Sequence, residues 1–291
     1  MTTAERQSIL ATGAIVLVGA GIAWAGSQGG LWAGPIPGFA LCGLLAFGIN
    51  WVVFVPSYAA QTERYFDLTG SCTYVSVVLV ALAIRGEPDA RAFLLTALII
   101  VWAVRLGTFL FRRIHRDGGD GRFDALKQSP WRFLMTWTLQ GLWVLLTAAC
   151  ALAAITSAES RPVGGVAVVG TFLWIVGFTT EVVADRQKSR FRAEPSNAGR
   201  FIDVGLWAWS RHPNYFGEIL LWIGIACIAV PVLSGWQLVT LISPVFVWVL
   251  LSRISGVPLL EARADKRWGD EPAYRAYRER TPVLFPRPPR A

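Results

Sequence analysis

The stretch WSRHPNYFGE starts at Trp209 and leads into an apolar run. Four of its polar side chains can do chemistry, namely those of Arg211, His212, Asn214 and Glu218. Pro213 suits the first turn of a helix, because the N–H that proline lacks has no helical partner there. The free N–H groups and the positive dipole end of that helix favour anionic groups. Arg211 adds charge, and Tyr215 offers a ring or a phenol donor. The stretch therefore predicts a phosphate or carboxylate site.

Interfacial anchoring is the competing interpretation of this stretch. Anchoring explains the aromatic residues and the arginine, but not Asn214 and Glu218. His212 either orients the turn or contacts a ligand, and the residues alone leave both open. The sequence has two histidines, the other being His115. We therefore expect no metal site of the histidine-cluster type.

Further ionisable residues lie inside or at the ends of apolar runs, where charge is costly and indicates function by default. Glu181 and Asp185 are four residues apart, on one face of a predicted helix, where like charges repel. Pairing with Arg186 or Lys188 is one explanation, and hydrogen bonds to hydroxyl or amide groups of a ligand are the other. The remaining members of this set are Asp67, Arg105 and Glu218.

The composition indicates what must position these groups. The 291 residues are 54% hydrophobic and 16% charged, against about 25% charged in soluble domains. Such a chain has too much apolar surface for a water-soluble core, so we expect an integral membrane protein. The net charge of +8 then indicates cytoplasmic loops rather than nucleic-acid binding.

Eight apolar runs approach the ~20 residues of a spanning helix. We therefore predict an all-α, polytopic membrane bundle, with N-terminal spanning helices in 1–60 and a second domain in 61–291 that carries the polar loops. No cleavable signal pattern is evident, and the first run is expected to stay as a helix. The predicted spans are 8–26, 37–56, 69–84, 92–111, 133–155, 164–184, 215–231 and 237–254.

The basic residues give the predicted orientation. The segments 112–132, 185–213 and 253–291 hold six, six and nine Lys and Arg residues, whereas 85–91, 156–163 and 232–236 together hold three. The positive-inside rule then puts the rich segments and both termini in the cytoplasm. We predict a multi-pass protein of a bacterial inner membrane or its equivalent, with the polar site facing the cytoplasm.

Several motifs together resemble the C-terminal domain of the steroid 5-alpha-reductase family, over roughly residues 60–286. The opening decapeptide follows GlyLeuTrp, and Asp185-x6-Arg192 and Arg200 precede it. SerGlyValProLeuLeuGlu261, a Tyr-x2-Tyr pair and ArgLeuGly-x4-ArgArg complete the pattern. The resemblance is strongest to a bacterial and plant branch of membrane reductase-like proteins.

The resemblance implies a cytoplasmic NADPH site. Asp185 and Arg192 lie where the family contacts the dinucleotide, and clustered arginines suit phosphates by bidentate pairing. Glu261 stands where the steroid enzymes have a histidine, and Glu181 where they have an asparagine. The implied cofactor-binding residues are Glu181, Asp185, Arg192, Arg200, Arg211, His212, Asn214, Tyr215, Glu218, Glu261, and Arg278 or Arg280.

The implied reaction moves hydride from NADPH to the β carbon of a conjugated enone, so a hydrogen-bond donor must hold the carbonyl oxygen. Counting back from Arg105 puts Asp67 at the position of the family's acid. The family's tyrosine is replaced by Trp102, which donates a hydrogen bond but transfers no proton. Tyr74, two turns after Asp67, is the expected substitute, and Tyr65 is another candidate. The expected catalytic set is Asp67, Tyr74 and Arg105.

Two other functions remain open. Isoprenylcysteine and phospholipid methyltransferases share an ArgHisPro-x-Tyr-x-Gly core and bind S-adenosylmethionine in a similar place, so a membrane methyltransferase is one alternative. A non-catalytic lipid or sterol binder is the other. In each case the expected partner is a lipophilic small molecule in the lipid phase, with no nucleic acid and no obligate protein partner. A transporter is less favoured, since the polar groups cluster at one face.

Overall fold

The computed structural model describes residues 1–87 and 89–289. Within these residues, eight helices are long and apolar enough to span a membrane, which confirms the predicted all-α class and all eight spans. The protein is therefore a multi-pass membrane protein. The α-helices are α1 (Thr3–Ser27), α2 (Gly38–Ala59), α3 (Phe66–Arg85), α4 (Ala90–Asp117), α5 (Asp124–Lys127), α6 (Pro130–Ile155), α7 (Gly165–Ala193), α8 (Pro213–Ala229), α9 (Ile242–Val249), α10 (Val257–Trp268) and α11 (Pro272–Arg280).

The predicted boundaries were too narrow at several ends. Helix α7 continues to Ala193, beyond the predicted end of the span at 184, so Asp185 and Arg192 both lie on the helix. The last span is composite: a 3₁₀ segment Gly235–Leu241 leads into α9, a π-helical turn follows at Leu250–Ile254, and α10 begins at Val257. Two-residue strands β1 (Trp32–Ala33) and β2 (Ile36–Pro37) pair antiparallel between α1 and α2.

The chain divides into two compact units. The first comprises Met1–Gly164 and Ile228–Ser243, and the second comprises Gly165–Cys227 and Pro244–Ala291. This division rests on Cα packing and differs from the boundary at residue 60 expected from the sequence. That boundary concerned the extent of the reductase-like domain and stays a prediction.

Helix α6 forms the centre of the first unit. Nearly all of its side chains from Gly141 to Ile155 are buried, while α1, α2, α3 and α4 pack around it. Polar side chains tie the helices together inside the bundle. The Trp51 indole donates to the Thr138 hydroxyl (3.0 Å), and the Gln140 amide donates to the Phe66 carbonyl (2.8 Å). These hydrogen bonds satisfy groups that lipid cannot.

Two arginines bind backbone carbonyls at the end of the first unit that is poor in basic residues. Arg85 donates to the carbonyls of Ile155 and Ser157, at 3.2 and 2.9 Å, and pairs with Asp89 at 2.7 Å. Arg91, only 2% exposed, donates to the carbonyls of Ile228 and Pro162. Both side chains therefore satisfy carbonyls at helix ends and in loops, which have no helical partner.

Four glycines let α7 and α8 touch along their backbones in the second unit. A Cβ added to Gly177 would lie 2.5 Å from the Gly217 carbonyl oxygen, and one added to Gly217 would lie 2.5 Å from that of Gly177. A Cβ on Gly224 would lie 2.5 Å from the Gly170 carbonyl oxygen. Each helix thus presents two glycines seven residues apart, and we call these four residues the glycine seam. Small residues permit such close approach in membranes.

Candidate functional site

The segment between α7 and α8 folds back onto α7. The Gln187 side chain accepts from the backbone N–H of Leu206 at 2.9 Å, beside Gly205, whose φ of +62° favours glycine. The Trp207 indole donates to the Ala184 carbonyl at 3.0 Å, and the Lys188 ammonium lies 4.2 Å from the centre of that indole. These contacts hold the chain just before Arg211 against the end of α7.

The C-terminal segment of the second unit docks on this same stretch. The Tyr277 hydroxyl donates to the Trp207 carbonyl at 2.7 Å, and burial raises the pKa of Tyr277, so the phenol keeps its proton. The Ser210 hydroxyl donates to the Leu284 carbonyl (2.9 Å), and the Arg211 N–H donates to the Pro282 carbonyl (2.9 Å). The C-terminal segment therefore holds the backbone from Trp207 to Arg211 in place.

Glu261 brings two residues of the motif together. Its Oε1 lies 2.7 Å from His212 Nε2, and its Oε2 lies 2.8 Å from Arg211 Nη1. Helix α8 begins at Pro213, as predicted, directly after this pair. The carboxylate of α10 thus binds the two residues that precede the N-terminus of α8. We call Arg211, His212, Glu261 and Arg278 the basic cluster.

Arg278 joins the basic cluster from α11. Its Nε lies 3.9 Å from Glu261 Oε2, and its Nη1 pairs with Asp265 Oδ1 at 2.6 Å. The Tyr274 hydroxyl lies 3.4 Å from the same Asp265 oxygen, and burial raises the pKa of Tyr274 to about 12. Two guanidinium groups and one imidazole therefore surround the Glu261 carboxylate, and Asp265 binds the second guanidinium group from its other side.

The His212 ring is buried, with 4% of the residue exposed. It stacks on the Tyr215 ring, with centroids 5.6 Å apart and planes 9° from parallel. Burial lowers the pKa of His212, and the nearby Glu261 carboxylate only partly offsets this effect. The imidazole is therefore neutral near pH 7. It donates through one nitrogen to Glu261 and stacks with Tyr215, a geometry the sequence did not reveal.

The other predicted binding residues on α7 and α8 differ in burial and position. Glu181 and Asp185 are buried on α7, and a Cβ on Gly217 would lie 2.7 Å from the Glu181 nitrogen. Since α7 and α8 run antiparallel along the glycine seam, Asp185 lies one turn further toward the start of α8. Asn214, Tyr215 and Glu218 lie in the first two turns of α8, and Arg192 is exposed in the last turn of α7.

Arg200 and Arg280 lie on exposed surface of the second unit. Arg280 pairs with Asp203 at 3.4 Å, whereas Arg278 meets Glu261 and Asp265. Of the two tail arginines that the sequence left as alternatives, Arg278 is therefore the one in the basic cluster. The ligand-binding roles of all these residues stay predictions.

The three predicted catalytic residues lie on α3 and α4 of the first unit. Asp67, in the first turn of α3, lies 3.8 Å from an Arg113 guanidinium nitrogen of α4. Tyr74 packs edge-on against Trp102, with ring centroids 5.1 Å apart and planes at 85°. Tyr74, the predicted catalytic tyrosine, therefore contacts Trp102. Arg105 lies over the Phe109 ring at 5.3 Å.

The first unit also contains a buried acid that no sequence pattern indicated. Glu63, 6% exposed between α2 and α3, accepts from the Asp120 N–H at 2.9 Å and pairs with Lys127 at 2.5 Å. Burial raises the pKa of Glu63, but the hydrogen bonds from Lys127 and Asp120 outweigh this effect and hold that pKa below its usual range. Its distance in sequence from its partners, 57 and 64 residues, left no periodic signal.

Two known proteins are similar to this chain in sequence. An uncharacterised protein of Schizosaccharomyces pombe is 24% identical over 229 residues, which covers 68% of this chain and 64% of that protein. A protein of Ustilaginoidea virens, named a probable O-methyltransferase, is 30% identical over 122 residues, covering 40% of this chain and 41% of that protein. The chain thus spans less than two thirds of the length of either relative.

No solved structure matches the chain. A family profile described as a protein of unknown function, DUF1295, matches residues 53–281, which include all of α3 to α11. This range contains every predicted site residue, and it overlaps most of the stretch on which the reductase resemblance rests. On this match, the chain is a member of the DUF1295 family.

Proposed function

We propose that this protein is an NADPH-dependent membrane reductase of a conjugated C=C bond in a lipophilic carbonyl compound. The observation that carries the proposal is the basic cluster at the start of α8. There Arg211, His212 and Arg278 converge on Glu261 at the N-terminus of α8. A polyanionic nucleotide suits such a site, because arginine forks and a helix N-terminus both bind phosphate oxygens.

The buried acids of α7 support a nucleotide more than a simple anion. Glu181 and Asp185 are 2% and 7% exposed, and a site for phosphate alone gains nothing from carboxylates beside it. Carboxylates accept hydrogen bonds from hydroxyl and amide groups, which the ribose and nicotinamide portions supply. The arginines are proposed to bind the phosphates, and the two acids the neutral polar groups.

NADPH, when bound, supplies hydride to the β carbon of the enone. This chain must then hold the carbonyl oxygen while charge grows on it, which requires a preorganised donor. Asp67 and Tyr74 of α3 are the candidates. They are seven residues apart on one face of the helix, and Trp102 packs against the Tyr74 ring. The proposed role of Trp102 is to orient the phenol.

A membrane methyltransferase that uses S-adenosylmethionine is the second candidate. It is favoured by the 30% identity to a protein named a probable O-methyltransferase. The two reactions differ in the charge that the site must balance. S-adenosylmethionine carries no phosphate, so a site with two guanidinium groups suits it less well than it suits NADPH.

Equilibrium binding to the detergent-purified protein separates the two candidates. We expect NADPH to bind and S-adenosylmethionine not to bind, when each is titrated by calorimetry. Arg278→Ala should weaken NADPH binding, whereas Arg275→Ala should not. Arg275 is the matched control, since it lies on α11, is exposed, and pairs with Asp270 instead of Glu261. Binding of S-adenosylmethionine alone would refute the reductase.

Turnover tests the catalytic part of the proposal. A panel of steroid, isoprenoid and fatty enones should include one that wild-type protein reduces stereospecifically with NADPH. Asp67→Asn should remove this reduction and leave the affinity for NADPH unchanged. If wild type binds NADPH and the enones but reduces none, the non-catalytic lipid binder becomes the better description.

A further inference from the structure

The hydrogen bond between His212 and Glu261 decides which ring nitrogen carries the proton. An ionised carboxylate only accepts hydrogen bonds, and Glu261 is also paired with Arg211 at 2.8 Å. His212 Nε2, 2.7 Å from Glu261 Oε1, therefore carries the hydrogen in the neutral ring. The opposite nitrogen, Nδ1, is left with a bare lone pair that can only accept.

This second nitrogen is buried and has no hydrogen-bond partner among residues 1–87 and 89–289. Its ring is fixed by the stack on Tyr215 and by the Glu261 bond. A buried acceptor without a donor is unfavourable, and native proteins rarely retain one without a reason. The ring therefore offers a fixed acceptor that nothing in the described chain fills.

The neighbouring residue offers the complementary group. Arg211 Nε is also buried and lacks a hydrogen-bond partner among the described residues, although Nη1 of the same side chain pairs with Glu261. Arg211 and His212 are held by the two oxygens of one carboxylate. Arg211 and His212, both bound to Glu261, therefore present an unpaired donor at Arg211 Nε and an unpaired acceptor at His212 Nδ1.

We infer that His212 Nδ1 accepts a hydrogen bond from a hydroxyl or amide N–H group of the bound nucleotide, while Arg211 Nε donates to an acceptor of the same ligand. A ribose diol, a nicotinamide carboxamide and the adenine edge each present a donor beside an acceptor. The inference rests on the proposed function only in taking the ligand as a nucleotide. Glu261 is then a positioning residue, which acts by fixing the tautomer of His212.

Nitrogen NMR of a single labelled histidine tests this inference. The sequence contains two histidines, so full-length His115→Gln protein labelled with ¹⁵N-histidine carries one labelled ring. His115 is exposed and bonds only within α4 among the described contacts. Without ligand, we expect Nε2 to be protonated and Nδ1 to resonate as a bare nitrogen. NADPH should then shift the Nδ1 resonance toward its hydrogen-bonded position.

Three further probes identify the part of the nucleotide that donates. Adenosine 2′,5′-bisphosphate carries the adenine half, reduced nicotinamide mononucleotide carries the other half, and S-adenosylmethionine represents the alternative function. A shift of Nδ1 with one half and not the other assigns the donor to that half. A shift with S-adenosylmethionine alone would support the contact and overturn the reductase.

The contrary outcomes are also distinct. A proton on Nδ1 in the free protein would overturn the tautomer, whatever binds. An unmoved Nδ1 resonance at saturating NADPH, with binding proved by calorimetry, would overturn the ligand contact alone. Failure of NADPH and S-adenosylmethionine to bind would overturn both the proposed function and the ligand contact.

Two variants separate a binding role from a structural one. His212→Gln retains a donor for Glu261 but lacks the acceptor at Nδ1, so we expect the Kd for NADPH to rise about tenfold with an unchanged thermal midpoint. Glu261→Gln can donate to Nε2, and it should move the ring proton to Nδ1 in the NMR spectrum. A merely structural role for Glu261 would leave the tautomer unchanged.

Discussion

Gly177 and Gly217 lie back to back, so that a methyl group on either would approach the carbonyl oxygen of the other to 2.5 Å. Glycine in a helix normally costs about 1 kcal/mol relative to alanine. The glycine seam accepts this cost at four positions. In return, the backbone of α8 lies against Glu181, whose nitrogen would be 2.7 Å from a Cβ on Gly217.

Alanine normally stabilises a helix relative to glycine, but in the glycine seam it should destabilise the protein. We expect Gly177→Ala and Gly217→Ala each to lower stability by about 1–3 kcal/mol through overpacking, measured by thermal unfolding in detergent. Gly21→Ala in α1 is the control, because a Cβ there meets nothing within 4 Å. A seam variant as stable as the control would contradict the close packing.

The buried His212 gives folding a dependence on pH. Burial lowers the pKa of His212, so the unfolded chain binds a proton more readily than the folded one. This contribution to stability is complete above the unfolded pKa of about 6.5 and is lost as the pH falls through the folded pKa. The charged groups around the ring are Glu261 of α10, Arg211, and Lys188 of α7.

We expect the thermal midpoint of wild type to fall more than that of His212→Gln between pH 7.5 and pH 5.5. The variant keeps His115 and all the carboxylates, so their titration cancels in the comparison. Parallel curves for the two proteins would show that His212 does not resist protonation in the folded state.

Glu63 should be a large contributor to the stability of the first unit. Its removal leaves the Lys127 ammonium, whose side chain is 15% exposed, without its buried partner. We expect Glu63→Ala to cost about 3 kcal/mol, measured by thermal unfolding. Asp124→Ala is the matched control, since Asp124 pairs with the same Lys127 but its side chain is 71% exposed. Asp124→Ala should lower stability by less than about 1 kcal/mol. If the two variants lost the same stability, Glu63 would not be the main partner of Lys127.

Nucleotide affinity should depend on Arg192 and Asn214. We expect Arg192→Ala and Asn214→Ala each to raise the Kd for NADPH about tenfold or more, as for a lost hydrogen bond to a charged group. The Arg192 effect should shrink at high salt. Arg190→Ala provides the control, because Arg190 is also exposed in the last turn of α7. Unchanged affinity in both test variants would refute the cofactor assignment.

The predicted orientation can be tested by cysteine labelling. Ser196 lies in an arginine-rich segment, and Val163 lies in an arginine-poor one; both are exposed. In a background without the four native cysteines, a membrane-impermeant maleimide added to intact cells should label Val163→Cys and spare Ser196→Cys. Labelling of Ser196→Cys alone would reverse the orientation and put the basic cluster outside the cell.

The sequence predicted what depends on local composition. Apolar runs of sufficient length gave all eight spans, and Pro213 marked the start of α8. The helical ends were less predictable, because polar turns such as that around Arg192 extend α7 without any hydrophobic signal. The π-helical turn at Leu250–Ile254 also lies inside an apolar run that looks uniform in sequence.

Pairings between distant residues explain most of what the sequence left unseen. His212 and Glu261 are 49 residues apart, and Glu63 and Lys127 are 64 apart. Residue type showed that these groups are polar at a membrane boundary, but no periodicity links one to the other. The glycine seam is partly visible as glycines seven residues apart in each of two runs, yet only the structure shows that these helices face each other.

The Arg91 side chain joins an early part of the chain to a late one. Its guanidinium group binds the Ile228 carbonyl, 137 residues later in the chain. During synthesis, α4 is therefore made long before the C-terminal end of α8 that supplies this carbonyl. Until then a charged side chain that ends up almost fully buried lacks one of its acceptors. A chain truncated before residue 228 therefore leaves the Arg91 guanidinium group without the Ile228 carbonyl.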